Sequence, residues 1–192
     1  MKPRSNRTCR CRDGTGSFFA SFSPVPALRA LVQRVTSASV RVGEREIGSI
    51  GWGLLVFLGI HREDTPADAA WLAAKIETIR LFADEAGKMN LALGEVGGRV
   101  LVVSQFTLHA ATRKGTRPSF NEAAAPARAI PLYEAFLLEL ETALGHPPAR
   151  GEFGAMMSVS LVNDGPVTIL LDTREASKPG VTPTFGSIES RP

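Results

Sequence analysis

Cysteine is nearly absent from this chain, and the position of the few cysteines is informative. The 192 residues contain two, Cys9 and Cys11, both close to the start. Two thiols this close together cannot cross-link a fold, and no second pair or histidine completes a zinc pattern around them. The cysteine-free remainder fits a reducing compartment. We therefore expect neither a disulfide framework nor a structural zinc ion.

Long apolar runs are also missing. The longest one, Leu54 to Ile60, has the length of a strand, whereas a membrane-spanning helix needs about 20 apolar residues. The hydrophobic content of 44% is ordinary for a globular protein. The length suits one domain with a real core. These features predict a single cytoplasmic domain with no membrane partner.

The part of the chain that we expect to fold has no excess of charge of one sign. The chain carries a net charge of +3, but residues 1–27 contribute +4, and residues 28–192 hold 17 basic and 18 acidic residues. Binding to a nucleic-acid backbone requires clustered lysine and arginine. We therefore expect no DNA-binding surface. The one local basic cluster comprises Arg113, Lys114 and Arg117, which could contact tRNA phosphates or simply be solvated.

The two ends of the chain differ from its middle. Residues 1–27 are rich in arginine and serine, poor in acids and without a sustained period. This composition favours a disordered extension or a start-site artefact over a transit peptide. Residues 173–192 also lack a period and predict a flexible C-terminal tail. The folded domain is therefore predicted to cover residues 28–172.

The first half of that domain has the patterns of strands followed by a helix. Alternating apolar positions predict strands at residues 30–35, 37–42 and 46–50, and the run at 54–60 predicts a strand buried on both faces. Thr65 and Pro66 are typical of an N-cap and first helical position. The helix should end before Phe82, and residues 83–98 are predicted to form a loop.

The second half predicts another buried strand at residues 100–106, a helix from Pro126 to about Leu144, and two final strands at 159–162 and 167–171. Pro131 is expected in the first turn of the helix or at a reset start of the helix, and Ile130 on the apolar stripe. This order favours a mixed α/β (α+β) domain with two main helices over a doubly wound nucleotide-binding fold.

No standard catalytic set is visible. The chain has no nucleophile elbow and no glycine-rich phosphate loop. The three histidines, His61, His109 and His146, fall in predicted loops or at strand ends, without carboxylates at ligand spacing. We interpret them as solvated surface residues, and we expect no metal and no cofactor.

Two segments break the strand pattern. Ser104 to Leu108 is polar where a buried strand ends, which indicates either strand-end capping or a reactive site. Thr107 could act as a nucleophile, but no general base stands nearby, so the backbone N–H groups of Phe106 and Thr107 are better candidates to hold an oxyanion. Asn163 to Thr168 contains Gly165-Pro166, which indicates either an edge-strand turn or a functional interruption.

Together these segments resemble those of the D-aminoacyl-tRNA deacylases. The resemblance covers about residues 29–172. It includes the segments Ala30 to Val35, Gly87 to Asn90, Ser104 to Leu108, Arg117 to Phe120 and Asn163 to Thr168. One such match would be weak, but all five occur in the order and at the spacing of the family, which makes the resemblance specific. Leu28 stands where family members usually begin with methionine.

The resemblance implies a mostly antiparallel, barrel-like sheet and a homodimer that hydrolyses D-aminoacyl-tRNA and glycine mischarged on tRNA(Ala). It assigns catalysis to Ser104, Gln105, Phe106 and Thr107, with backbone oxyanion stabilisation and help from the 2′-OH of tRNA. It assigns chiral selection to Gly165, Pro166, Asn163 and Met157. A Gly-cis-Pro pair would enter the partner subunit's pocket and exclude L-amino acids. A tRNA-binding module without turnover and a hydrolase of small esters remain alternatives.

Overall fold

Strand β1 (Arg29–Val42) organises the sheet, because strands pair along both of its edges. The computed structural model describes residues 28–113 and 115–175. The predicted N-terminal extension, Lys114 and residues 176–192 of the predicted tail lie outside these ranges. Two strands share one edge of β1: β3 (Gly53–Gly59) pairs with its first half and β2 (Arg45–Ile50) with its second half. The other edge pairs with β8 (Ser158–Asp172), and all three pairings are antiparallel.

The sheet continues from β3 through parallel strands. β6 (Arg99–Ser104) pairs with β3, and the short β7 (Ala149–Arg150) pairs with β6, which gives the order β2-β1-β3-β6-β7. The sheet curls until β2 approaches β7: a Cβ added at Gly48 would lie 2.9 Å from the carbonyl oxygen of Arg150. The result is the nearly closed, barrel-like sheet that the resemblance implied.

The core has two parts, one on each face of the sheet. A small cluster fills the inside of the curled sheet and comprises Val35, Ala38, Val40, Ile50, Leu55, Leu101 and Val103. A larger cluster joins the outer face to two helices, α1 (Pro66–Thr78) and α2 (Pro126–Leu144). Leu54 and Leu55 on β3 belong to different clusters, because successive side chains of a strand point to opposite faces. This confirms the prediction that the strand is buried on both faces.

Both predicted helices are present and begin where the sequence indicated. Thr65 is the N-cap of α1, and its backbone N–H donates a 2.9 Å hydrogen bond to the carboxylate of Asp68. Gly145 caps the C-terminal end of helix α2 and has a left-handed φ of 73°. In this helix two details of the prediction were wrong. Pro131 lies inside the helix beyond its first turn, and Ile130 is 43% exposed, since Ala129 and Leu132 face the core instead.

Four other sequence predictions need correction. The predicted strands at 30–35 and 37–42 are one strand, as are those at 159–162 and 167–171, because the polar interruptions are bulges rather than ends. The predicted loop 83–98 contains a strand, β5 (Met89–Leu91), which forms a short antiparallel hairpin with β4 (Phe82–Ala83). Strand β6 ends at Ser104 rather than at 106, and a 3₁₀ helix follows it.

The architecture is a mixed α/β domain with two main helices, as predicted. In residues 28–113 and 115–175, no helix is both long and apolar enough to cross a membrane.

Candidate active site

The segment after β6 turns sharply into a 3₁₀ helix, Phe106–His109. The backbone N–H of Gln105 donates a 2.7 Å hydrogen bond to the carbonyl oxygen of Leu58, which is the last backbone hydrogen bond between this segment and β3. The first N–H groups of a helix have no acceptor within it. Across the described residues, the N–H groups of Phe106 and Thr107 meet no protein acceptor. Two adjacent donors are therefore available to an external acceptor, which is the arrangement an oxyanion requires.

The hydroxyl of Thr107 is engaged by a neighbour. The side-chain Nε2 of Gln105 donates to Thr107 Oγ1. The amide group donates a proton and cannot remove one, so this contact orients the hydroxyl without making it a nucleophile. Gln105 and Thr107 thus form a small unit that fixes the turn.

A cavity of about 300 Å³ opens beside this turn. Ser104, Gln105 and Phe106 form one wall, and Met157 lies in the lining as well. The remaining walls are mainly apolar: Leu58, Ile60, Val103, Ala124, Ala129, Phe153, Gly154, Ala155, Met156 and Val159. The volume is at the lower end of the range for small-molecule sites, about 300–1,000 Å³. Four of these residues, Ser104, Gln105, Phe106 and Met157, were predicted from the sequence. The segment 153–156 was not, because its loop pattern gave no signal.

An arginine at the start of β1 supports the far end of the turn. Arg29 Nη1 donates a 2.8 Å hydrogen bond to the carbonyl oxygen of Leu108, and its Nε lies 3.1 Å from Asp172 Oδ2. Burial raises the pKa of Asp172, but hydrogen bonds from Arg174 and Arg29 outweigh it and hold this pKa below its ordinary value. The carboxylate therefore stays charged and keeps Arg29 in place.

Two of the three histidines are buried next to the turn, so their interpretation as surface residues was wrong. His61 is 5% and His109 4% exposed, and their rings meet edge to face at 5.6 Å. His61 Nδ1 accepts from the N–H of Glu63, which places its proton on Nε2, 3.0 Å from the carboxylate of Glu122. This contact lowers the pKa of Glu122. The third histidine, His146, is partly exposed.

Burial lowers the pKa of His109, and the nearby Arg29 and His61 lower it further. His109 is consequently neutral at physiological pH. Neither ring lines the cavity, so the histidines support the turn from behind.

Gly165 and Pro166 form the centre of a bulge in β8. Gln33 of β1 pairs with Thr168 and Val35 pairs with Asn163, so the single residue Arg34 lies opposite residues 164–167. The peptide bond between Gly165 and Pro166 is cis, as the resemblance implied. Both residues are exposed. The bulge thus presents the main chain of this pair to the outside of the sheet.

Position 165 strongly favours glycine. Its φ is +121°, which side chains rarely allow, and an added Cβ would lie 2.9 Å from both Arg34 Nη2 and Val167 Cγ2. Arg34 itself is held by the carbonyl of Leu81 at 2.5 Å. Its Nε lies 2.9 Å from Asp164 Oδ2 but makes no aligned hydrogen bond there, so the contact is an ion pair. Arg34 was not among the predicted site residues, although a charged residue in a buried strand was a usable signal.

Asn163 closes the bulge. Its Oδ1 accepts from the N–H of Val167 at 2.9 Å, and its Nδ2 donates to Thr168 Oγ1 at 3.1 Å and to the carbonyl of Val167 at 3.3 Å. Both ends of the side-chain amide are used inside the strand. Asn163 therefore shapes the Gly165-Pro166 segment, and its predicted contact with substrate would have to come from its backbone.

Within one chain the two predicted groups of site residues lie apart. Ser104, Gln105, Phe106 and Met157 line the cavity, whereas Asn163, Gly165 and Pro166 do not. Thr107 is outside the lining but bonded to it through Gln105. The bulge instead lies on β8, which pairs only with β1 among the described strands and has its other edge open.

The basic cluster lies on the loop after the turn. Backbone hydrogen bonds between Ala111 and Ser119, at 2.8 and 2.9 Å, close the base of this loop. Arg113 and Arg117 are exposed on it, and Lys114 lies outside the described residues. Phe120 follows the bridge and meets Phe106 edge to face at 5.1 Å. No group of three or more His, Cys, Asp or Glu residues in the described ranges could hold a metal ion.

Comparison with known proteins gives consistent matches. The family model of D-Tyr-tRNA(Tyr) deacylase matches residues 31–172. The chain is 60% identical over 146 residues to the D-aminoacyl-tRNA deacylase of Opitutus terrae, covering 76% of this chain and 97% of that protein. It is 56% identical over 148 residues to the enzyme of the same name from Akkermansia muciniphila, covering 77% and 99%.

Two solved structures are similar as well. One, called c-Myc DNA Unwinding Element Binding Protein, has a TM-score of 0.69 at 42% identity and covers 74% of this chain and 97% of its own. The other, a probable eukaryotic D-amino acid tRNA deacylase, has a TM-score of 0.68 at 17% identity and covers 76% and 99%. This second likeness concerns the fold alone. The matches span the described fold and both interrupted strands, and the chain belongs to the D-aminoacyl-tRNA deacylase family of hydrolases.

Proposed function

We propose that this enzyme hydrolyses the ester between a D-amino acid, or glycine mischarged on tRNA(Ala), and the 3′-terminal adenosine of tRNA. It rejects L-aminoacyl-tRNA and works in the cytoplasm, where tRNA is charged and used. One observation carries this proposal. Gly165-Pro166 is exposed on an open sheet edge, and it lies apart from the cavity beside the Phe106 and Thr107 N–H groups. A second subunit can bring the two together.

The chemistry needs little beyond positioning. Water adds to the ester carbonyl, the acyl C–O bond breaks, and the 3′ oxygen of the ribose takes up the proton. The N–H groups of Phe106 and Thr107 hold the negative charge that develops on the carbonyl oxygen. The adjacent 2′-OH of the ribose assists proton transfer, so the proposed reaction uses no cofactor and no nucleophile from the protein.

Discrimination between D- and L-aminoacyl groups depends on the space around the α-carbon. The main-chain carbonyls of Gly165-Pro166 face the α-carbon of the bound amino acid, where they crowd the Cβ of an L-residue and leave room for a hydrogen. A D side chain points outward, so many D-amino acids are accepted. Glycine has no Cβ and passes the filter. The tight surroundings of Gly165, with Arg34 and Val167 at 2.9 Å from an added Cβ, keep this segment fixed.

The open edge of β8 is the surface on which a partner would lie. The strand is 15 residues long, and Val162 and Leu170 are 55% and 52% exposed on it. A long exposed strand edge with apolar side chains is rare in proteins that stay monomeric. In a two-fold symmetric dimer the same surface is used twice, so each cavity receives the other chain's Gly165-Pro166.

Deacylation assays test the activity. Purified enzyme is incubated with D-Tyr-tRNA, L-Tyr-tRNA, Gly-tRNA(Ala) and a small D-tyrosine ester. We expect rapid release of D-tyrosine and glycine from tRNA and slow release of L-tyrosine. Rapid cleavage of L-Tyr-tRNA would contradict the chirality filter. Turnover of the small ester alone would indicate a small-ester hydrolase, and binding of tRNA without turnover would indicate a binding module.

Mixing two inactive variants tests the shared site. Ala155→Trp fills the cavity and leaves Gly165 intact, whereas Gly165→Ala disrupts the bulge and leaves the cavity intact. When the two are unfolded and refolded together, half of the dimers are mixed, and each mixed dimer holds one intact site of two. About a quarter of the wild-type activity should return. No recovery, with both variants folded and dimeric, would show that each site belongs to one chain.

A further inference from the structure

The substrate of the proposed function is larger than the cavity. A volume of about 300 Å³ is at the lower end of the range for small-molecule sites, so the cavity can hold at most the aminoacylated end of the tRNA. The unpaired nucleotides that precede the terminal adenosine in tRNA must therefore lie on the surface at the mouth of the cavity. Unpaired bases expose their faces, and proteins hold them most often by stacking on aromatic side chains.

Two aromatic side chains are exposed at that mouth. Phe106 lines the cavity and is also 57% exposed, and Phe120 is 36% exposed. Their rings meet edge to face with centroids 5.1 Å apart, at an interplanar angle of 72°. The two rings form one contiguous exposed apolar patch, and an edge-to-face pair leaves ring faces open to a third ring. We call these two residues the aromatic pair.

Positive charge adjoins the aromatic pair. Arg117 lies three residues before Phe120, so about 10 Å of extended chain at most separates them. Arg113 lies on the other arm of the same loop, whose base is closed by the Ala111–Ser119 hydrogen bonds. Both arginines are exposed. An aromatic platform next to arginines that can contact phosphates is typical of single-stranded nucleic-acid binding.

We propose that the aromatic pair is a stacking platform for the unpaired nucleotides immediately before the terminal adenosine, with Arg113 and Arg117 contacting their phosphates. This inference rests on the proposed function, and it adds a site at the mouth of the cavity that reads no base sequence. The platform makes tRNA a better substrate than a minimal aminoacyl-adenosine, because only tRNA carries the preceding nucleotides that bind to the platform.

The test compares D-Tyr-tRNA with D-tyrosyl-adenosine in Phe120→Leu, which keeps apolar volume and removes the ring. We expect kcat/KM for D-Tyr-tRNA to fall about 5- to 100-fold, mainly through KM, as for other lost base–aromatic stacks. The value for D-tyrosyl-adenosine should stay unchanged. Phe120→Trp retains a ring and should keep the wild-type value. Leu138→Ala is the matched control, because Leu138 is 64% exposed on α2 and away from the cavity lining.

Measuring the affinity for tRNA tests the platform independently of the proposed hydrolysis. Uncharged tRNA and tRNA trimmed of its last three nucleotides are titrated with wild type and Phe120→Leu. The variant should lose affinity for intact tRNA and keep that for trimmed tRNA, whether or not the enzyme hydrolyses any ester. Equal effects on both tRNAs, equal loss with both esters, or dissociation of a dimer by Phe120→Leu would overturn the platform. The last outcome would identify the aromatic pair as a contact between subunits.

Discussion

Arg29 Nη1 donates a 2.8 Å hydrogen bond to the carbonyl oxygen of Leu108, which ties the first residue of β1 to the turn that presents the candidate oxyanion donors. Hydrogen bonds involving a charged group contribute about 1.5–3 kcal/mol. Replacing Arg29 by Met should therefore lower the free energy of unfolding by about 2 kcal/mol, measured by urea titration. Asp172 remains paired with Arg174 in this variant, so the loss should not reach the value for an isolated buried charge.

The same substitution should affect catalysis through geometry. Displacing the turn by about 1 Å can reduce activity about 100-fold, and kcat should fall more than KM rises, because Arg29 does not line the cavity. The matched control is Arg41→Met, since Arg41 lies on the same strand and its guanidinium group binds Glu44 at the hairpin, away from the turn. Unchanged kcat in a destabilised Arg29→Met would show that Arg29 supports folding alone.

Gly165→Ala should abolish most of the D-specific activity. The added methyl would displace Arg34 or Val167, both 2.9 Å away, and we expect a loss of about 100-fold for a misplaced selective segment. Gly43→Ala is the matched control: Gly43 also has a positive φ, of 58°, but nothing lies within 4 Å of an added Cβ. Gly165→Ala should lose more stability than Gly43→Ala, because its φ of +121° lies outside the left-handed region that side chains can adopt. Deacylation of D-Tyr-tRNA is therefore compared at equal folded concentration.

Thr107→Ala should keep substantial activity. The variant loses the hydrogen bond from Gln105 but retains both backbone N–H groups. One neutral hydrogen bond contributes about 0.5–1.5 kcal/mol, so single-turnover rates should stay above about a tenth of wild type. A loss as large as that of Gly165→Ala, restored by Thr107→Ser, would instead identify the hydroxyl as a nucleophile.

His109 should make stability depend on pH. Burial holds its folded-state pKa below the ordinary 6.5, so between these two values the unfolded chain binds the proton more strongly. Stability is therefore complete above about pH 6.5 and declines as pH falls below it. The groups facing the ring are Arg29 and His61, which lower its pKa after burial, and Asp172 and the Gly59 carbonyl, which raise it.

Urea unfolding at about pH 7.5 and about pH 5.5 measures this decline. His109→Gln should lose less stability between the two pH values than wild type, because the substituted side chain does not titrate. His146→Gln, at a partly exposed position, should behave like wild type. An equal decline in wild type and His109→Gln would assign the pH dependence to other groups.

Local patterns were sufficient to predict most of the fold. The Thr65-Pro66 signal fixed the start of α1, and alternation identified the strands, since both depend on neighbouring residues alone. Continuity across the bulges was not predictable from pattern. Residues 163–168 read as a break between two strands, but side-chain hydrogen bonds from Asn163 and the pairing of β1 on either side carry the strand through.

The candidate site was likewise predictable only in part. The unusual polarity of Ser104 to Thr107 and the Gly165-Pro166 pair was visible in the sequence, because each contradicts the strand around it. The burial of His61 and His109 was not visible, since it depends on how the turn packs against the end of β3. Phe153 and Ala155 join the cavity through a loop, and no local pattern indicates where a loop will pack.

The open edge of β8 has a consequence for how the enzyme responds to its own concentration. Under the proposed arrangement, cavity and selective segment belong to different chains, so monomers formed on dilution lack a complete site. Specific activity then follows the law of mass action and declines below the dissociation constant of the dimer. A cell could thus adjust this hydrolysis more steeply than in proportion to the amount of protein it makes.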